Sequence, residues 1–286
     1  MDKLLLPQLT NLNIRHCQKL NLTPEIVIED TSTSIERLQI DGCPCLNLRT
    51  MLGSVYSFAS LRSLHISDCD YHLDQLPTPS LEFLHLCRCK NISYLPSGLG
   101  RLRSLVLSSC SSPLLFPQGD FPPTLKFLDM EAGENLQLKP LSEWGLNRLT
   151  SLENFGIYGG YPELESFSGS GDDGLALLPP TLRYVWIGDL PNLKLLSAFL
   201  RGLTALRYLR IFECPKLGSL PKESLRNPLR TLQIDKCPLL EKRCLMDRGD
   251  YWPMIEDIPC VEIRSDGIRQ NICWHVGSTR LASLCA

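Results

Sequence analysis

The sequence predicts an α/β solenoid, with a parallel sheet lining the inside of the curve and turns or short helices on the outside. Three observations carry that prediction. Leu206, Leu209, Ile211, Cys214 and Leu217 recur with the same spacing as Leu229, Leu232, Ile234, Cys237 and Leu240. The spacing L-x-x-L-x-L-x-x-C also appears five times in the first half, as LTNLNIRHC, IERLQIDGC, LRSLHISDC, LEFLHLCRC and LRSLVLSSC. Within each unit the short L-x-L core alternates with the period of a strand, while the outer leucines return the chain to the next strand. Together these are the signature of the leucine-rich repeat. One unit cannot bury its apolar side alone, so units stack into a horseshoe whose inner sheet faces water.

Ten units are marked by their first apolar position: Leu9, Ile35, Leu61, Leu81, Leu102, Leu125, Leu152, Leu182, Leu206 and Leu229. The steps range from 20 residues (Leu61 to Leu81) to 30 (Leu152 to Leu182), so the repeat is irregular. In units six to eight the ninth position changes to Gly133, Gly160 and Leu190, although the strand core persists. Between strands, Met51 to Phe58 and Leu195 to Leu203 show apolar residues at helical spacing and predict short outer helices. Leu95-Pro96 and Leu220-Pro221 predict extended or tight-turn returns. Ser168 to Pro180 begins with Gly, Ser and Asp and reads as a loop.

The solenoid is expected over residues 1–240 and a C-terminal cap over 241–263. In the cap Trp252, Ile255, Ile258, Val261 and Ile263 cover the last repeat, and Pro253 and Pro259 forbid a continuous helix. Residues 264–286 show no period and are expected to form a disordered tail.

The chain of 286 residues is 43% hydrophobic with a formal net charge of −2, which does not describe a basic nucleic-acid-binding protein. Seven of the 13 cysteines (Cys17, Cys43, Cys69, Cys89, Cys110, Cys214 and Cys237) occupy the ninth repeat position, where a small buried thiol fits. No apolar run is long enough to span a membrane, and the N-terminal MDKLLLP is too short and broken for an export signal. The sequons at Asn21 and Asn91 are read as chance matches. Reduced thiols and no export signal lead to the expectation of a cytoplasmic or nuclear protein.

No catalytic set is legible. The five histidines are scattered, no serine stands in a nucleophile elbow, and no glycine-rich phosphate or dinucleotide loop occurs. Cys43-x-Cys45 and Cys87-x-Cys89 have no second pair at zinc spacing and are read as structural, so no metal or cofactor is expected. What remains is a surface. Repeat positions 3, 5, 7 and 8 are expected to face out of the inner sheet, and units one to five place mostly small or polar residues there. Units six to nine place Phe127, Asp129, Glu131, Tyr158, Tyr184, Trp186, Tyr208, Arg210 and Phe212 there instead. Aromatic residues with Arg dominate protein interfaces, which makes these nine the candidate partner-binding residues. The alternative is that the rings pair across neighbouring strands and stiffen the sheet.

SEWGLNRLTSLENFGIYGG (Ser142 to Gly160), CPKLGSLP (Cys214 to Pro221), CPLLEKRC (Cys237 to Cys244) and YWPMIEDIPCVEI (Tyr251 to Ile263) resemble the C-terminal leucine-rich-repeat region of plant coiled-coil nucleotide-binding disease-resistance proteins. The resemblance implies a non-enzymatic protein-recognition domain in plant innate immunity, sensing a pathogen effector or a guarded host protein. It also implies a neighbouring ATP/ADP switch, yet the phosphate loop and the N-terminal coiled coil are absent, so the resemblance is to the sensor without its nucleotide-binding domain. Two alternatives stand beside this: a regulatory dock for a nucleotide-binding domain without effector contact, and an extracellular receptor ectodomain. The second calls for an export signal and an L-x-G-x-I-P repeat, neither of which the sequence shows.

Overall fold

The computed structural model describes residues 9–20, 35–46, 60–69, 79–90, 95, 98–110, 121–133, 138–167, 176–221, 229–246, 248–265, 268–273 and 283–284. The chain forms two compact units, Met1–Leu136 and Gln137–Ala286.

In the first unit, strands β1 (Asn11–Arg15), β2 (Arg37–Asp41), β3 (Ser63–Ser67), β4 (Phe83–Cys87), β5 (Ser104–Cys110) and β6 (Phe127–Ala132) pair in sequence order, all parallel. The pairings match equal repeat positions, so Leu38 lies beside Leu64 and Ile40 beside Ile66, except at the end of β5, where the register shifts and Cys110 lies beside Ala132. Positions four and six therefore form two apolar ladders, and from the second strand on these side chains are buried. Burying a Leu or Ile side chain contributes about 1.5–3 kcal/mol, which each strand gathers twice.

The second unit contains β7 (Asn154–Tyr158), β8 (Tyr184–Gly188), β9 (Tyr208–Phe212), β10 (Thr231–Asp235) and β11 (Cys260–Ser265), again parallel where they pair. Behind its sheet Phe155, Phe199, Phe167 and Tyr161 form an aromatic spine with centroids 4.7–6.2 Å apart. Burial raises the Tyr161 hydroxyl above its ordinary range, and it donates to the Lys139 carbonyl at 2.9 Å.

Two repeating devices carry the chain out of most of the strands. At position eight His16, Asp68, Arg88, Ser109, Asp189, Glu213 and Lys236 have φ between 49° and 53°, and Gly42 and Gly159 have 59° and 66°. This left-handed turn costs a non-glycine residue about 1–2 kcal/mol. It lets the position-eight N–H add one more bond to the ladder, as in His16 to Asp41 O (2.7 Å) and Lys236 to Arg264 O (3.0 Å). At position nine, each of the seven cysteine thiols donates to the carbonyl two residues earlier, at 3.0–3.7 Å. A neighbouring thiol and burial push Cys89 and Cys237 well above the usual thiol range, so both stay protonated donors. Gly133 takes this position in unit six because a Cβ there would meet the Cys110 carbonyl at 2.8 Å.

After β10 comes helix α1 (Pro238–Cys244), whose first residue is a proline, where the missing N–H costs nothing. Buried Glu241 accepts the Cys237 N–H at 2.6 Å. After helix α2 (Trp252–Ile255), β11 buries Val261 and Ile263 in the same ladders as the repeats.

Three sequence expectations meet a different structure. Leu195 to Leu203 is no regular helix but a single turn, closed by Leu200 N–H to Leu196 O at 3.0 Å, although Leu196, Phe199, Leu200 and Leu203 are all buried. The stretch begins at Leu195 in an isolated bridge with Ser166 and Ser219 and runs on through turns, so burial rather than helical length holds it. The stretch expected to be a tail from 264 instead continues β11 and adds β12 (Ile268–Cys273) and β13 (Ser283–Leu284), both antiparallel to their neighbours. Here the backbone ladder supplies order that no apolar period announces. Cys260 is disulfide-bonded, unlike the position-nine thiols. The helix expected at Met51 to Phe58, both sequons and residues 168–175 of the expected loop lie outside the described residues.

Candidate functional site

Period-two alternation sends positions three, five and seven of every strand to the open face of the sheet. In the second unit this gathers six of the nine candidate residues. Register places Tyr184 beside Tyr208, Trp186 beside Arg210, and Tyr158 beside Gly188, which in turn lies beside Phe212. Tyr184, Trp186 and Tyr208 form a triangle with ring centroids 5.8–6.4 Å apart. Such aromatic pairs contribute about 0.5–1.5 kcal/mol beyond their burial. Tyr184 stays 40% exposed, and the other rings are half-buried.

Gly188 produces a second cluster. With no side chain on the middle strand, Phe212 leans over it and meets Tyr158 at 5.1 Å across two strand spacings. A Cβ at Gly188 would stand 2.4 Å from the Phe212 ring. The Arg210 guanidinium caps the same ring at 5.0 Å, a cation–π contact.

Beyond the rings the face becomes polar. The Tyr208 hydroxyl donates to Gln233 Oε1, Gln233 Nε2 donates to Glu262 at 3.1 Å, and Arg264 donates to the same carboxylate at 2.7 Å. Burial raises the Tyr208 pKa, so at neutral pH its hydroxyl remains the donor of this chain. Gln233, Glu262 and Arg264 were not among the sequence candidates, but they occupy the position-five and position-seven rows that the alternation defines. Pairing and exposure coexist here: the rings contact one another across the strands, and Tyr184 keeps 40% of its surface exposed.

The other three candidates lie on β6 of the first unit. Phe127, Asp129 and Glu131 stand in register with Ser104, Val106 and Ser108, and Glu131 accepts a bond from the Ser109 hydroxyl at 3.2 Å. Polar contacts also lie on that face, as in Arg15 to Asn13 (3.0 Å) and Asn13 to Gln39 (3.2 Å). His65 meets His85 edge-on at 4.2 Å. Phe83, 48% exposed at position three of unit four, is a large apolar residue that the sequence candidates omit. Its position alone could have marked it.

Position eight departs from the expected set. It is a left-handed turn whose N–H joins the ladder, not a further outward strand position. Among the described residues no three His, Cys, Asp or Glu side chains come together as a metal site. No described helix is long and apolar enough to cross a membrane.

Parallel single-strand repeats, the position-nine ladder and an aromatic-lined open sheet define a leucine-rich-repeat protein. Along 89% of its length the chain is 31% identical to an Arabidopsis thaliana protein named "Putative disease resistance protein", and it spans 20% of that protein's length. The chain's similarity to a plant disease resistance protein thus extends over most of its length. No family model matches the chain.

Proposed function

We propose that this chain is a non-catalytic protein-recognition module with a defence-related role in plants. It binds its partner through the open sheet face of the second unit and requires no cofactor of its own. The observation that supports this most directly is the cluster of Tyr184, Trp186 and Tyr208, three adjoining rings on a water-facing sheet. Large accessible apolar patches of this kind mark interaction sites, and Tyr, Trp and Arg supply most hot-spot energy. Phe212 and Arg210 extend the patch, and the similarity to a disease resistance protein supplies the biological setting. In the same reading Phe127, Asp129 and Glu131 form a contact surface of the first unit.

Co-purification from leaf tissue tests this. The wild-type chain is expected to recover a reproducible protein set, which the double variant Trp186→Ala/Tyr208→Ala loses. Each truncation is expected to weaken binding by about 2 kcal/mol or more, the scale of an interface hot spot. Equal recovery by a double variant with wild-type far-UV circular dichroism sinks the proposal.

A further inference from the structure

On the open face of the second unit, the charged side chains at positions three, five and seven neutralise one another. Arg210 pairs with Asp235 at 3.8 Å, and Arg264 with Glu262 at 2.7 Å. The rim differs. The residue immediately before each strand is Glu153, Arg183, Arg207 and Arg230 in successive repeats. Glu153 answers Arg183 at 3.8 Å. Arg207 and Arg230 are exposed, and among the described residues neither makes an ion pair. They sit side by side, since the Arg230 N–H donates to the Arg207 carbonyl at 2.7 Å.

The first unit shows how this rim is balanced within a chain. There Glu82 stands between Arg62 and Arg103, at 3.5 and 3.7 Å, and serves both. Adjacent like charges on neighbouring strands are destabilising, and no carboxylate among the described residues pairs with Arg207 or Arg230 to offset that cost. Carboxylates from outside would remove it, with the fork geometry that guanidinium groups favour.

We propose, building on the reading of this face as a partner-binding surface, that it takes a protein segment in which acidic residues adjoin apolar or aromatic ones. The acidic residues pair with Arg207 and Arg230, and the apolar ones settle on Tyr184, Trp186 and Tyr208, which begin one residue further along the strands. The rings set affinity and the arginines set specificity and salt dependence, because charge complementarity at a rim acts on encounter and is screened by salt.

A phage-displayed random dodecapeptide library panned on the immobilised full chain tests the assignment. Enriched sequences are expected to combine Asp or Glu with Trp, Phe, Tyr or Leu. For one synthesised peptide, followed by fluorescence anisotropy, Arg207→Glu/Arg230→Glu is expected to weaken binding on the order of tenfold at 50 mM NaCl. The effect should fall below about twofold at 0.5 M, where the screening length is a few ångströms. The milder Arg207→Ala/Arg230→Ala variant should move affinity the same way by less, guarding against misfolding. Peptides that need Trp186 and Tyr208, yet lack acidic residues and ignore the charge reversal, overturn the acidic-segment assignment and leave the binding face standing. Peptides indifferent to Trp186→Ala/Tyr208→Ala overturn the binding face itself, and a library that yields no enrichment overturns both.

Discussion

Gly188 is the residue on which the geometry of the open face turns. It sits in a strand, where glycine usually weakens pairing, and its value lies in the side chain it lacks. Phe212 occupies the space above it and reaches Tyr158 at 5.1 Å, with the Arg210 guanidinium over its ring at 5.0 Å. The clash that a methyl would create involves the outer edge of a ring, which can swing away, so the fold should survive. Gly188→Ala is therefore expected to cost about 1–2 kcal/mol, the usual scale for overpacking a filled site. It should also expose the Tyr158 ring, seen as a blue-shifted near-UV tyrosine absorption and faster chemical nitration of that residue. A variant with unchanged stability and unchanged tyrosine exposure would show that Phe212 does not depend on this gap.

Among the elements, one side chain of α1 ties three segments together. Arg243 on α1 donates to the Asp250 carboxylate at 2.9 and 2.5 Å and to the Gly218 carbonyl at 2.5 Å, and its guanidinium lies 3.8 Å from the Tyr251 ring. Tyr251 in turn meets Ser219 at 3.2 Å. Gly249 permits the approach, since a Cβ there would come within 2.1 Å of the Arg243 carbonyl oxygen. Arg243→Ala is expected to destabilise the second unit by about 2 kcal/mol, combining a bidentate ion pair with a ring contact. Arg243→Lys should recover little, because an ammonium cannot span the three partners. Thermal unfolding of both variants checks this, and a lysine variant as stable as wild type would discount the fork. The elements also mark what could be read in advance. All ten repeat strands follow from the L-x-x-L-x-L spacing, because positions four and six must be buried whatever lies between them. The ring positions on the face follow from the same alternation. The left-handed turn at position eight does not, because His, Asp, Arg, Ser, Glu and Lys share no chemistry there, and the constraint acts on their backbone alone. Strand β12 and the rim arginines escaped for a related reason: one is ordered by backbone pairing, and the others sit one residue before the alternation begins.

At the scale of the molecule, stacked repeats couple mainly to their neighbours, so a local perturbation should spread a few strands and fade. Among the described residues, histidine is a titratable side chain that only the first unit contains and that can reveal this. In the first, His65 and His85 lie against each other on β3 and β4, 4.2 Å between ring centroids. Burial lowers both pKa values; the nearby Asp41 partly opposes this for His65 while Arg15 reinforces it, and His65 further lowers His85. The described residues of the second unit include no histidine. An unfolded histidine takes up its proton near pH 6.5, whereas these two resist protonation while folded. Below pH 6.5 the unfolded state therefore binds more protons, and the first unit loses stability as pH falls from about 6.5 toward the lower native values. Above pH 6.5 the contribution is fully present. Hydrogen exchange followed by mass spectrometry between pH 8 and 5.5, corrected for intrinsic exchange rates, is expected to show protection falling in β3 and β4, less in β2 and β5, and not in β8 to β10. That window stays above the carboxylate range, so the lowered pKa values of Asp68 and Glu165, each set by a basic partner, do not contribute. His65→Gln/His85→Gln should flatten the response in the first unit, and an equal loss of protection in both units, or one that persists in the double variant, would assign the pH dependence elsewhere.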